Sequence, residues 1–207
     1  MNKYLLERIV VGPIETNCYL LADAASRQAL IIDPGEAPER IIKRLEYKTL
    51  KPIAIVNTHG HVDHIMANQA LKTVYKIPIY IHENDNEFLT DPALNYSQYV
   101  GGGLTLPPAD IKLKEGDIID VGGLTVQVYH TPGHTPGGIC LLCEDLLFTG
   151  DTLFCGSIGR TDLPGGDDET LTNSLKLFSK LPKELKVYPG HGPESTIAQE
   201  LKHNPYL

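Results

Sequence analysis

The segment Thr58-His59-Gly60-His61-Val62-Asp63-His64 follows directly on the apolar run Ala54-Ile55-Val56 and leads into helix-like patterning. At this composition an H-x-H-x-D-H cluster arises by chance in roughly one chain in a thousand. A chain leaving a strand presents residues i and i+2 on the same side, so His59 and His61 can converge on one ion. Asp63 and His64 fall where the chain turns into the helix and face a second point a few Å away, so one ion is too few. Three further donors lie in loops of the same kind: Thr131-Pro132-Gly133-His134-Thr135-Pro136-Gly137, Thr149-Gly150-Asp151-Thr152 and Pro189-Gly190-His191-Gly192. The flanking Gly and Pro let the backbone approach closely and hold each donor stiffly.

Around these motifs the chain alternates strands and helices. Short β-type runs at Tyr4 to Val11, Asn17 to Ala22 and Ala29 to Ile32, separated by turn residues, predict an antiparallel meander. A helix over Pro38 to Tyr47 carries Ile41, Ile42 and Leu45 on one face, and a buried strand follows at Ile53 to Asn57. Ala67, Ala70, Leu71 and Val74 predict one helix from near Asp63, and Ile77 to Ile81 a strand. Residues 91–109 lose all periodicity and read as a long loop, a lid or a linker. Further strands are expected at Leu124 to Tyr129, Gly138 to Cys143, Asp145 to Phe148 and Lys186 to Tyr188. Helices are expected from Asp167 or Asp168 and, with Pro193 at its first turn, at the C-terminus. Strands first and helices after, in both halves, fit an α/β or α+β fold in a single domain spanning 1–207.

Composition narrows the function. A net charge of −8 with scattered basic residues argues against a nucleic-acid partner. Charge within the first eight residues leaves no room for a leader, and no apolar run is long enough to span a membrane, so a cytoplasmic protein is expected. Cys140 and Cys143 sit three apart in a strand and face opposite sides, which favours packing over metal binding. Cys155, four residues beyond Asp151, is not needed as a ligand. His82 and His203 have no motif around them and read as surface or helix-cap residues, whereas His130 flanks the His134 loop and can support it.

The run Thr58 to His64, then His134, Asp151 and His191 in that order, resembles the metallo-β-lactamase superfamily, and Ile31-Ile32-Asp33-Pro34-Gly35 is similar to its first motif. Thr131 to Gly138 and Gly150-Asp151-Thr152-Leu153-Phe154 look most like the glyoxalase II branch, the hydroxyacylglutathione hydrolases, and its short bacterial members. The resemblance implies a four-layer αβ/βα sandwich. It implies that His59, His61 and His134 bind one metal, that Asp63, His64 and His191 bind the other, and that Asp151 bridges them. It also implies that Asp33 fixes the histidine loop. N/O donors without thiolate suit Zn, with Fe or Mn as alternatives. Two such ions sharing a hydroxide, with Asp63 and Asp151 as the catalytic carboxylates, would hydrolyse an ester-like bond.

The substrate implied is a small acyl-thiol, S-lactoylglutathione or a relative, with Arg160 gripping the thiol carrier. Departures bear on that carrier. With sixteen residues after His191, no room is expected for the family's C-terminal helical extension, Asp162 stands where a tyrosine is expected, and Pro193 where a second one is. Gly159-Arg160-Thr161-Asp162 also resembles a loop of the persulfide dioxygenases, which hold one Fe(II) by two His and one Asp. That is the alternative activity, and a non-catalytic metal-binding module is a third.

Overall fold

The structure, a computed structural model, describes residues 3–100 and 102–207. The chain runs β1 (Tyr4–Val11), β2 (Thr16–Asp23), β3 (Gln28–Ile32), α1 (Pro38–Tyr47), β4 (Lys51–Val56), α2 (Val62–Ile65), α3 (Asn68–Tyr75) and β5 (Ile79–His82). Short helices α4 (Asn86–Thr90) and α5 (Ser97–Val100) lead to β6 (Ile111–Leu113). The second half contains β7 (Ile118–Val121), β8 (Leu124–His130), β9 (Ile139–Cys143), β10 (Leu146–Gly150) and the hairpin β11 (Leu153–Phe154) and β12 (Ser157–Ile158). It closes with α6 (Asp168–Leu175), β13 (Lys186–Pro189), β14 (Ser195–Thr196) and α7 (Ile197–His203).

Two six-stranded sheets result, in the orders β1-β2-β3-β4-β5-β6 and β14-β13-β10-β9-β8-β7. The period-2 alternation of the strands explains how they stack. On β2, β3 and β4, residues Tyr19, Leu21, Leu30, Ile32, Ala54 and Val56 point inward, where they meet Val126, Val128, Ile139, Leu141, Leu146 and Phe148 of the other sheet. The alternate positions Cys18, Leu20, Ile31 and Ile55 point outward and bury Ile41, Leu45 and Leu71 of α1 and α3. On the far side Cys140, Leu147 and Val187 cover Leu175 of α6 and Ile197 of α7. Three apolar interfaces require four layers, helix, sheet, sheet, helix, which is the architecture expected from the sequence.

Several elements depart from expectation. The single helix near Asp63 is two helices, because the buried Asn57 amide donates to the His64 carbonyl and pairs with Asn68, drawing the chain aside. Ala70 and Val74, expected on its buried face, are exposed, whereas Ala67 and Leu71 pack as expected. The last helix begins at Ile197, since Thr196 accepts a hydrogen bond from Gln199 N, and Pro193 lies in the preceding loop. Strands β6, β7, β11, β12 and β14 were not anticipated, and residues 91–109 contain α5. His82 is buried, with its Nδ1 accepting from Asn84 N and its ring stacked 3.9 Å from that of His130. No described helix is long and apolar enough to cross a membrane.

Candidate metal centre

The donors sit where strands end. Thr58 to His64 follow β4, His134 lies beyond β8, Asp151 follows β10, and His191 follows β13. The sheets are tied together at this edge: Tyr19 Oη donates to the Pro189 carbonyl at 2.7 Å, and Asn17 Nδ2 donates to both Pro189 and Gly192 at 2.9 Å. The main chain joins in, with Asn17 N donating to the Gly190 carbonyl at 2.7 Å. Loops from both sheets therefore meet over one patch.

All seven predicted donors come together there. His59, His61 and His134 form one group, Asp63, His64 and His191 another, and His59, His64 and Asp151 a third between them, the ligand atoms of each lying within 4.8 Å of one another. His61 Nδ1 is 3.0 Å from His134 Nε2, and His64 Nε2 is 3.3 Å from His191 Nε2. Nitrogens bound at about 2.0–2.1 Å to one tetrahedral ion stand about 3.3 Å apart, so both spacings are those of donors around a common ion. Asp151 reaches across: Oδ1 is 3.4 Å from His64 Nε2, and Oδ2 is 3.6 Å from His134 Nε2 and from His191 Nε2.

Neighbouring groups orient four of the donors. His134 Nδ1–H donates to the Arg160 carbonyl at 2.6 Å and His191 Nδ1–H to that of Ile14 at 3.1 Å, which leaves each Nε2 free as a ligand. Asp63 Oδ2 accepts from Thr16 Oγ1 at 3.0 Å. Asp33 accepts from Thr58 N at 2.7 Å and Thr58 Oγ1 at 2.6 Å, and its Oδ2 lies 3.0 Å from His64 Nδ1. Gly190 must be glycine: a Cβ there would run into Asp151 Oδ1 and the His64 ring.

The electrostatics divide the cluster. Burial, reinforced by the surrounding imidazoles, pushes His59 well below its ordinary pKa and His61 down to about 3, so both are neutral ligands at pH 7. Burial opposes a proton on His64 too, yet Asp63, Asp151 and Asp33 outweigh it and hold that ring well above the usual histidine value. Burial raises the Asp63 carboxyl, but His64 and His191 overcome this and hold it well below the carboxylate range. The carboxylate side thus draws positive charge inward, a demand that a divalent cation would meet in place of the histidine protons. Buried His59 Nε2, His61 Nε2 and Asp151 Oδ1 have no hydrogen-bond partner. Unpaired polar atoms buried within a cluster whose ligand atoms lie within 4.8 Å of one another fit metal ions.

One contributor escaped the sequence. Asp85 is fully buried and accepts from Gly60 N at 2.9 Å, Thr135 Oγ1 at 2.7 Å and Gly137 N at 2.5 Å, clamping the His59–His61 turn to the His134 loop. His130 supports the same loop through Pro136, whose carbonyl lies 2.9 Å from its Nε2. Cys140 and Cys143 are buried in β9, and Cys155 is exposed in a loop. Arg160 stands beside the centre, but its guanidinium is held by Asp162 in two bonds of 2.6 Å. The donors open onto a cavity of about 520 Å³, within the range that holds small molecules.

The family model described as "Metallo-beta-lactamase superfamily" matches residues 11–191. Among solved structures, BLEG-1, titled a B3 metallo-beta-lactamase, superposes with a TM-score of 0.92 at 43% identity, covering 98% of this chain and 99% of its own. TTHA1623 in a di-iron-bound form gives 0.86 at 36% identity, covering 97% of this chain and 100% of its own. The hydroxyacylglutathione hydrolase GloC of Haemophilus influenzae is 37% identical over 211 residues, 98% of this chain and 97% of its own. With the match spanning every donor loop on a four-layer fold, the chain belongs to the metallo-β-lactamase superfamily.

Proposed function

We propose that the chain is a dinuclear metal-dependent hydrolase of thioesters, acting on S-lactoylglutathione or a related acyl-thiol. The observation that carries this reading is Asp151, whose two oxygens lie within 3.4 and 3.6 Å of donors from both groups. In this reading His59, His61 and His134 hold one divalent ion, Asp63, His64 and His191 the other, and Asp151 both. Zn suits the donor set, and the di-iron form of TTHA1623 supports iron as a second occupant. When bound, such a pair supplies Lewis acidity and a nucleophile at neutral pH. The chain contributes the rest. Thr16, Ile14 O and Arg160 O fix Asp63, His191 and His134, so the donors are set before the substrate arrives. Arg160 is the one lysine or arginine in the cavity wall among the described residues. Likeness to GloC supports the thioester.

Metal analysis paired with assays on S-lactoylglutathione, glutathione persulfide with O₂, and a cephalosporin tests the reading. Two ions per chain with thioester hydrolysis are expected. One iron with O₂ uptake would move the protein to the dioxygenases, and β-lactam turnover alone to the lactamases. Metal without turnover would leave a binding module.

A further inference from the structure

The cavity wall is more apolar than a glutathione site needs. Outside the donor set its charged side chains are Glu36 and Arg160, and Arg160 is already engaged by Asp162. Glutathione carries two carboxylates; here it meets one occupied arginine and one glutamate, in a chain of net charge −8. The rest of the wall is largely hydrocarbon, including Pro13, Val62, Phe154, Ile158 and Leu163.

The mouth carries a second observation. Large apolar side chains rarely stand free on a surface in groups, yet Ile14 is 59% exposed, Val100 63% and Met66 39%, and all three line this cavity. The turn that carries Ile14 uses only its backbone for the site, through the carbonyl that receives His191 Nδ1–H. A serine or aspartate would make that turn at lower solvation cost. An isoleucine is therefore explained by what passes over it.

Resting on the hydrolase reading, we infer that the preferred substrate carries an uncharged, apolar arm, a medium-length acyl chain on a thiol, which runs from the donor cluster along Val62 and Phe154 to Ile14, Met66 and Val100. The continuity of this wall with His61, Asp63 and His191 selects the substrate itself as occupant rather than a protein partner.

Steady-state kinetics on acetyl, butanoyl, hexanoyl and octanoyl thioesters of N-acetylcysteamine, beside S-lactoylglutathione, test this on the metal-loaded protein. kcat/KM should rise about three- to fourfold per methylene, the worth of one buried CH₂, so octanoyl exceeds butanoyl on the order of a hundredfold. Ile14→Ser combined with Val100→Ser, both at exposed positions that the core does not need, should lower the octanoyl-to-acetyl ratio at least tenfold. Hydrolysis of S-lactoylglutathione with no chain-length dependence would overturn the apolar-arm inference and leave the hydrolase reading intact. So would an unchanged ratio in the double variant. A flat dependence together with a dimer that the double variant dissolves would assign the rim to a second copy of this chain. No turnover of any thioester would defeat both readings.

Discussion

Asp85 touches no donor atom of the centre, yet its removal should be felt there. Asp85→Ala strands three buried donors, Gly60 N, Thr135 Oγ1 and Gly137 N. Each unpaired donor costs about 1–3 kcal/mol. Part of this returns, because burial disfavours the carboxylate itself and pushes its pKa up to about 6. A net loss of about 2–4 kcal/mol is expected from urea unfolding of the metal-free protein at pH 7. Affinity for Zn should fall about 10–100-fold in competition with a chelator, since the variant frees the His59–His61 turn from the His134 loop. The pH dependence has a definite sign. An unfolded aspartate titrates near 3.9 and the folded one near 6, so the folded state holds the proton more tightly. Its contribution is fully present below about pH 4 and is lost as pH rises through about 6, by about 3 kcal/mol. The stability of the wild type relative to Asp85→Asn should therefore decrease by that amount between pH 4 and pH 7, other titrations being common to both. A stability loss under about 1 kcal/mol in Asp85→Ala, with Zn affinity unchanged, would refute the clamp.

Asp151→Ala should lower the occupancy of both ions, by more than the 10–100-fold that loss of a supporting partner costs; two ions per chain retained at normal rate would show that Asp151 does not serve both. Burial lifts the thiols of Cys140 and Cys143 to about 12, so they stay protonated and poor as ligands. Replacing Cys140, Cys143 and Cys155 together by Ser or Ala should leave metal content unchanged while costing about 1–3 kcal/mol of stability, and loss of metal would contradict this. Asp162→Asn weakens the hold on Arg160 and should lower KM for S-lactoylglutathione a few-fold with kcat unchanged; a raised KM would show that the Arg160–Asp162 pair acts as a unit.

What was legible in the sequence follows the range of the interactions involved. α1 was read with its bounds, Pro38–Tyr47, because proline at the start and the Ile41 and Leu45 stripe are local signals. The site was legible for the same reason: four of its seven donors lie within six residues, and the others sit in short Gly- and Pro-flanked loops. Strand β7 was missed although Val121-Gly122-Gly123-Leu124 is a hairpin signature, and β11 and β12, of two residues each, are too short for any period to show. The break between α2 and α3 depends on an asparagine pair eleven residues apart, which outweighs a stripe of alanines. Asp85 joins partners 25, 50 and 52 residues away and stands in no motif.

The same division bears on specificity. Donors must meet at distances fixed by the ion, so their loops keep a recognisable spelling, whereas a cavity wall is assembled from positions that share no local pattern. Ile14, Val62 with Met66, Val100 and Phe154 come from four separate segments, and each alone is an ordinary apolar residue. Only the exposure of Ile14, Met66 and Val100 around the mouth separates that rim from core. Chemistry can therefore persist across a superfamily that holds lactamases and glutathione thioester hydrolases, while the group carried by the substrate changes through residues that no motif records.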